Sequence, residues 1–515
     1  MADPVPAAAA RTLGALGFAP GACRGEATPD TAVDALTVDS RAAAPGTVFF
    51  ALKGARFDGA EFAPYALRQG ASAVVLSPEG AETLRALWDR APAFEDLPLV
   101  IVDEPRRALA HAAAAFHGAQ PPVIAATTGT NGKTSVATFL RQIWTALGRK
   151  AVNFGTTGVE GAVAAPLSHT TPEPLTLHAL LADLAAQGVT HAAMEASSHG
   201  LAQYRLDGVR LSAGGLTNIT RDHMDYHPTH EDYVDAKLGL FRRVLPEGAA
   251  AALNVDDPTF PAAKQAAEAR GMRVIGVGEG PGAALQLLSA RYHDAGQSIR
   301  FAWDGHEHEA ELQLVGGFQA HNALLAAALA IGCGEDPEDV FGVLPALRGV
   351  HGRMEHVATR ANGGRAYVDY AHTPDGLRAA LSALRLHTPG RLVVVFGAGG
   401  DRDPGKRPLM GAAARAADVA IVTDDNPRSE DPGLIRAAII GAIPEAEEIG
   451  DRAEAILAGM DMLGPDDRLL IAGKGHETGQ IVGDAVLPFD DSEQARAAAA
   501  ALDGLDAAEG WGEDA

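Results

Sequence analysis

The run Thr128-Gly129-Thr130-Asn131-Gly132-Lys133-Thr134 follows the apolar segment Val123-Ile124-Ala125-Ala126 and carries residue types suited to holding phosphate. Amides of a Gly-containing loop that opens a helix point at phosphate oxygens. The Lys133 ammonium can reach the β and γ phosphates, and the Thr134 hydroxyl suits Mg2+. The strict pattern asks for Gly at position 127, where this chain has Thr127. Strand, loop and helix are all present in order, so the segment reads as a nucleotide-phosphate loop, which by itself names no reaction.

Two further stretches add charge. Thr190 to Gly200 reads as a buried strand ending in Glu195, followed by Ser197, Ser198 and His199. A carboxylate at a strand's C-terminal end, near a phosphate loop on the same sheet, is where α/β nucleotide enzymes hold a metal. Glu195 and His223 could each ligate a divalent ion, the histidine through neutral imidazole. Taken singly they read as a solvated carboxylate and a hydrogen-bonded loop histidine. Farther on, Asp425-Asn426-Pro427-Arg428 follows the strand Ala420-Ile421-Val422-Thr423. Asn-Pro marks a turn, and the forked guanidinium of Arg428 is a natural bidentate reader of a carboxylate. Glu477, in Gly473-Lys474-Gly475-His476-Glu477, suits an ammonium group. Two other candidates are weaker. Gly397-Ala398-Gly399-Gly400 breaks the dinucleotide pattern, with Arg402 at the last glycine position, and His306-Glu307-His308-Glu309 reads as an exposed hairpin strand rather than a metal site.

These groups need a large scaffold to position them. The chain has 515 residues, enough for about three domains. Hydrophobic residues make up 47% and charged residues 21%, the balance of a folded globular protein. Lys plus Arg number 42 against 66 Asp plus Glu, a net charge of -24, which disfavours a nucleic acid or anionic membrane surface as the main partner and leaves anionic small molecules open. Cys23 and Cys333 are the two cysteines, too few for a disulfide framework or a zinc cage. No run of about 18 or more purely apolar residues occurs. Met1-Ala2-Asp3-Pro4 lacks a basic stretch leading into an apolar core, so a soluble cytoplasmic enzyme is the default expectation.

Short apolar runs alternate with helical stretches throughout. Strands are predicted at Val48–Leu52, Ala73–Leu76 and Leu99–Val102, with a helix over 61–69 and another over 108–116. Further strands are predicted near 190–195, 212–217, 249–254 and 273–277, then a β-hairpin around Asp304-Gly305 and helices over 319–331 and 337–344. Four apolar strands, at 367–369, 392–396, 419–422 and 469–472, imply a mostly parallel sheet with right-handed crossovers. The acidic end from 503 is expected to fray. The predicted domains are 1–105, 106–346 and 347–515.

Thr128 to Thr134 resembles the phosphate loop of the Mur ligase superfamily, which includes folylpolyglutamate synthetase, and Asp425 to Arg428 resembles the signature of its diaminopimelate-adding branch. The resemblance implies an α/β fold of three domains, each with a sheet flanked by helices: a uridine-substrate domain, a central P-loop ATP-binding domain and a C-terminal Rossmann-like domain. It implies amide-bond formation driven by ATP through an acyl phosphate, with Mg2+. ATP would meet Gly129, Thr130, Asn131, Gly132, Lys133, Thr134, Asn322 and Asp369. Lys133, Lys237, His223 and Arg353 would be catalytic, and Thr134, Glu195, His223 and Lys237 would hold metal, Lys237 as a carbamate. On residue type alone Lys237 would be a helix-surface lysine. A UDP-N-acetylmuramoyl-dipeptide would meet Val38, Ser40, Ala55, Arg56, Phe57, Thr170, Thr171, Ser197, Gln203 and Arg205. meso-Diaminopimelate would meet Arg402, Asp425, Asn426, Pro427, Arg428, Gly473 and Glu477. Gln319 stands where many relatives have Asn. The expected partners are these small molecules, with no nucleic acid, no membrane insertion and a monomeric chain. A folylpolyglutamate synthetase and a nucleotide-driven switch that transfers nothing are the rival readings.

Overall fold

The structure, a computed structural model, describes residues 11–504 apart from 55, 168, 225, 294 and 295. Strands and helices alternate through three successive stretches of the chain, a mixed α/β architecture. The chain divides into two compact units. One takes the described residues up to Ile124 with Lys150–Ser212 and Asp235–Glu247. The other takes Ala125–Arg149, Ala213–Val234 and the described residues from Gly248 onward.

In the first unit a five-stranded sheet runs in the order Cys23–Arg24, Leu99–Ile101, Ala73–Leu76, Thr47–Phe50, Ala35–Thr37. Its strands are parallel except the first. Val48, Phe50 and Val75 enter one core with Leu109 and Ala112 of the helix Pro105–His117. Phe49, Val74 and Leu76 enter the opposite core with Ala66 and Leu84. Both faces are covered, which is why these strands read as unbroken apolar runs rather than alternating ones. The helix expected over 61–69 is a 3-10 turn, Gly59–Phe62, capped by Asp58, followed by Ala63–Arg68 with proline in its first turn. The same unit contains His191–Glu195, parallel to Ala151–Gly155, which turns back antiparallel into Gly158–Gly161.

In the second unit Ala125–Thr128, the later part of the strand Val123–Thr128, pairs in parallel with Ala213–Leu216, which continues through Ala250–Asn254 and Arg273–Gly278. An antiparallel meander extends this sheet. Its strands Gly296–Trp303 and His306–Leu312 are the predicted hairpin, with Asp304 and Gly305 at φ of 49° and 79° in the turn, the left-handed pair such a turn requires. Leu285–His293 adds a strand the sequence did not announce. His306, Glu307 and Glu309 are exposed, as a hairpin strand predicts, while the His308 ring stacks on Phe301. The helix Phe318–Gly332 is buried on nearly every face, in keeping with its apolar composition.

The same unit carries a six-stranded sheet ordered Glu355–Thr359, Arg365–Asp369, Arg468–Ala472, Leu392–Phe396, Val419–Val422, Glu447–Glu448. All its pairings are parallel except that of the first strand. Val393 and Val395 face one core; Leu392, Val394 and Phe396 face the other. Arg452 and Asp491, both fully buried, form an ion pair at 2.7 Å that ties the helix Arg452–Asp461 to Asp491–Asp503. Fraying does not begin at 503: Asp503 ends that last helix and pairs with Arg360 at 2.8 Å. Residues 505–515 lie outside the described residues.

Candidate active site

The strand Val123–Thr128 delivers the chain into the loop Gly129–Gly132 and then the helix Lys133–Ala146. Gly132 takes a left-handed φ of 87° at the helix entry, and a Cβ there would lie 2.6 Å from Asn322 Oδ1, so glycine is required on both counts. Lys133 bends back over the loop, its Nζ donating to the carbonyls of Gly129 and Thr130 at 2.9 Å each. Neighbouring segments brace the loop. Thr217 Oγ1 donates to Asn131 O at 2.6 Å, the Asn131 N–H donates to Asn218 Oδ1 at 3.1 Å, and Thr130 Oγ1 lies 2.9 Å from the hydroxyl of buried Tyr233.

Beside the loop sits an arrangement of charges. His223, left-handed at φ 55°, places Nε2 3.4 Å from Asp222 Oδ2. Burial alone would raise the Asp222 carboxyl, but His223, His372 and Lys133 outweigh it and hold the group below the usual carboxylate range. Arg353 donates from Nη2 to Thr134 Oγ1 at 3.3 Å, and its guanidinium carbon lies 4.4 Å from the centre of the Tyr370 ring. Asp369 accepts from the Met354 N–H at 2.7 Å; burial raises its carboxyl to about 6, against the opposing pull of Arg353. Lys406 donates to the His372 carbonyl at 3.1 Å. Burial lowers the Lys406 ammonium, while Asp425 on one side and Asp222 on another counter that effect.

Next to the loop a cavity of about 250 Å3 opens among Thr217, Asn218, Asn254, Asp256, Val277, Phe318, His321, Asn322 and Leu325. Gln319 turns its Oε1 to accept from Asn322 Nδ2 at 3.0 Å and is itself buried. Gln319 thus braces Asn322 on the cavity wall.

The Asp425-to-Arg428 turn forms a second polar cluster in this unit. Asn426 and Arg428 are both left-handed, at φ of 46° and 53°, a costly conformation for residues with side chains. Asn426 Nδ2 donates to Glu477 Oε2 at 2.8 Å, and Arg428 Nη1 donates to Gly400 O at 2.9 Å. Glu477 is raised by burial and by the neighbouring Asp425. Gly400 belongs to the broken dinucleotide pattern, and a Cβ there would strike the Pro427 carbonyl at 1.8 Å. That glycine admits this turn. A Cβ on Gly473 would reach Asp425 Oδ2 at 2.5 Å, and Arg402 is exposed. Two loops cross between this cluster and Arg353: Gly352 and Gly475, left-handed at 66° and 55°, approach so closely that a Cβ at 352 would lie 2.2 Å from the His476 nitrogen.

In the first unit another group gathers at the end of His191–Glu195. Buried Glu195 accepts at Oε1 from the Thr156 N–H at 2.8 Å. Thr171 Oγ1 donates to Glu195 O at 2.9 Å, and Thr170 Oγ1 lies 3.1 Å from Thr156 Oγ1. Arg205 donates to Thr171 O at 2.7 Å and to Gln203 Oε1 at 2.9 Å, and Ser197 caps the following helix. Lys237, on the helix His230–Gly239, is 1% exposed, so it is no helix-surface lysine. Val38, Arg56 and Phe57 are exposed, and Ser40 begins a 3-10 turn. Ala55 lies outside the described residues. Sequence reasoning gave no role to Lys406, Lys474, Tyr233, Asp256, His321 or Phe318; Lys474 stands inside a quoted motif, whereas the cavity residues come from scattered segments with no local signature.

A phosphate-type loop on a parallel sheet, with a nearby cavity and a second charged cluster in the same unit, defines a phosphate-loop α/β protein that brings two kinds of polar site together. Three family profiles match in succession: Mur ligase family, catalytic domain, over residues 32–117; Mur ligase middle domain over 127–330; and Mur ligase, glutamate ligase domain, over 352–475. The chain belongs to the Mur ligase family. A UDP-N-acetylmuramoyl-L-alanyl-D-glutamate--2,6-diaminopimelate ligase of Bradyrhizobium diazoefficiens is 52% identical over 473 residues, covering 91% of this chain and 95% of its own. One of the same name from Caulobacter vibrioides is 50% identical over 486 residues, covering 93% and 97%. A solved structure of a ligase with that name superposes with a TM-score of 0.68 at 31% identity, covering 96% of this chain and 99% of its own.

Proposed function

We propose that this chain is an ATP-dependent, ADP-forming ligase. It adds meso-diaminopimelate to the D-glutamate γ-carboxylate of UDP-N-acetylmuramoyl-L-alanyl-D-glutamate, a step in making peptidoglycan precursor. The observation that carries this reading is the likeness, over nearly the full length of each chain, to ligases of that name. It is supported by Tyr370, whose ring centre lies 4.4 Å from the Arg353 guanidinium that reaches Thr134 and 5.2 Å from the ring of His476, the neighbour of Glu477.

A γ-carboxylate oxygen attacks the γ phosphorus of ATP, the bond to the β,γ-bridging oxygen breaks, and ADP leaves. The diaminopimelate amine then attacks the acyl carbon of the acyl phosphate. The tetrahedral adduct loses phosphate, the nitrogen loses its proton, and an amide remains. Lys133 and Arg353 neutralise charge on the transferred group, and Arg353 is preorganised by the Tyr370 ring beneath it. Asn322 and the cavity beside it receive the nucleoside, with Asp369 near the ribose and phosphates. Thr170, Thr171, Ser197, Gln203 and Arg205 offer hydroxyls, an amide and a guanidinium to the UDP substrate, with Val38, Ser40, Ala55, Arg56 and Phe57 at its uridine end. Arg428 and Arg402 read the distal carboxylate of diaminopimelate, and Glu477 its ammonium.

The donor set suits Mg2+, which favours hard oxygens and uses one or two carboxylates together with substrate phosphates. In the first unit Glu195, a buried carboxylate held at a strand end, offers oxygens of that kind, as a Lys237 carbamate would; in the second unit the Thr134 hydroxyl and His223 are the candidates. Bound there, Mg2+ would supply charge neutralisation to the phosphates. The domains would divide at about 105 and 346. No helix among the described residues is long and apolar enough to cross a membrane, and we place the enzyme in the cytoplasm as a monomer.

ADP release measured with the UDP substrate and diaminopimelate omitted in turn tests the reading. Sustained release needing both acceptors is expected. Release that proceeds without either one would point to a nucleotide switch, and dependence on a folate with glutamate would point to folylpolyglutamate synthesis.

A further inference from the structure

Lys474 is fully buried and no step above uses it. Its Nζ donates to Asn426 Oδ1 at 3.0 Å and to Gly479 O at 2.8 Å, and lies 3.5 Å from Asp425 Oδ1. The Ile481 N–H donates to the same Asn426 Oδ1 at 2.9 Å. Two donors on one side fix the amide, because only an oxygen can accept both. Asn426 therefore turns Nδ2 to Glu477, to whose Oε2 it donates at 2.8 Å. The side chain that faces the proposed ammonium site is thus oriented, through Asn426, by Lys474.

The arrangement also sets a charge balance. Asp425 and Glu477 bring two negative charges, set against the positive charges of Lys474 and Arg428, with Lys406 also within reach of the Asp425 charge. Arg428 joins the group directly, its Nη1 lying 3.3 Å from Asn426 O. The adjacent Arg452–Asp491 pair is closed on itself and adds no net charge. An amino-acid end bearing one ammonium and one carboxylate leaves this balance intact. A bare ammonium, as at the end of lysine, adds an uncompensated positive charge to a partly desolvated site.

We propose that Lys474 is a specificity-determining residue: by orienting Asn426 and offsetting Asp425, it makes the pocket accept a zwitterionic amino-acid end and reject a lone ammonium. The proposal rests on the diaminopimelate reading above and adds to it a residue that touches no substrate. It predicts opposite effects from opposite charge changes. Lys474→Met makes the pocket one charge more negative, so the ratio of kcat/KM for meso-diaminopimelate to that for L-lysine should fall by about tenfold or more. Asp425→Asn makes it one charge more positive, and the same ratio should rise. KM for ATP and the thermal melting curve report whether each variant is folded. A merely structural role would lower both amino-acid rates together and leave the ratio at its wild-type value.

Steady-state kinetics with both amino acids on wild type and the two variants decides the matter. Ratios moving in opposite directions support the proposal; ratios that stay fixed or move in the same direction overturn it. If Lys474→Met fails to fold, Asp425→Asn still decides, because a ratio that does not rise overturns the charge-balance argument. A wild type that shows no diaminopimelate-dependent ADP release sinks the underlying functional reading along with this proposal. A wild type that uses diaminopimelate while its variants keep the ratio removes the role of Lys474 alone.

Discussion

Arg353 donates a hydrogen bond to the Thr134 hydroxyl at 3.3 Å across 219 positions of sequence. The residue that closes the phosphate loop and an arginine leading into the last sheet are thus neighbours within one compact unit. With the Tyr370 ring beneath it, the guanidinium is held where phosphate charge would develop, so little reorganisation is needed during the reaction.

Lys133 caps the loop from which it springs. Lys133→Ala should reduce ADP release by about 10²–10³-fold, the usual cost of losing a donor to a developing charge. Binding of the UDP substrate, whose proposed contacts are largely on other residues, should remain measurable by calorimetry. Unchanged ADP formation would remove the phosphate-loop argument, and loss of both ligands would indicate misfolding.

Lys237 is buried on a helix whose first turn carries Glu231 and Asp232. If it serves as a carbamate, Lys237→Ala should lose most activity, and added bicarbonate or a short carboxylic acid should restore part of it by supplying the missing oxygens. Near-normal turnover of the unsupplemented variant would take Lys237 out of the site.

Arg428 is the proposed reader of the carboxylate that distinguishes diaminopimelate from lysine. Leaving such a guanidinium without its partner typically costs about 2–5 kcal/mol, so wild type should prefer meso-diaminopimelate over L-lysine by roughly 10²-fold or more. Arg428→Ala should erase most of that preference by slowing the diaminopimelate reaction, with the lysine rate low throughout. Full discrimination retained by the variant would assign the carboxylate to another residue.

Asp369 carries a pH signature. Its carboxyl is raised to about 6, chiefly by burial, so the folded protein holds that proton more tightly than the unfolded chain does. The contribution of this group to stability therefore falls as pH rises from about 4 to about 6 and stays at its low value above that window. Asp369→Asn should raise Tm more near neutral pH than near pH 4, and thermal melts at both pH values would show it. A shift of equal size at both would mean that the carboxyl titrates at its ordinary value.

Much of the scaffold was legible because its signals are local. Buried strands such as Leu392–Phe396 announce themselves as apolar runs, and the phosphate loop is one strand, one loop and one helix start in order. What escaped is what depends on distant segments or on backbone conformation. The cavity draws Thr217, Asp256, Val277 and Phe318 from separate elements. The hairpin Gly479–Val482 with Ala485–Pro488 is short and largely exposed, so it lacks a burial pattern. Nor does residue type reveal that His223, Met354, Asp401, Asn426 and Arg428 all adopt left-handed backbone, a cost concentrated around the candidate site.

The crossing of Gly352 and Gly475 has a mechanical result. A Cβ on Gly475 would meet Tyr370 Cβ at 2.7 Å and Gly352 O at 2.8 Å, so the strand of chain that leads to Arg353 and the one that leads to Glu477 are pressed together with no slack. Neither can slide past the other without separating a packed backbone contact. A side chain at either glycine would force the segment that carries Arg353 away from the one that carries Glu477, and so part the two ends of the candidate site.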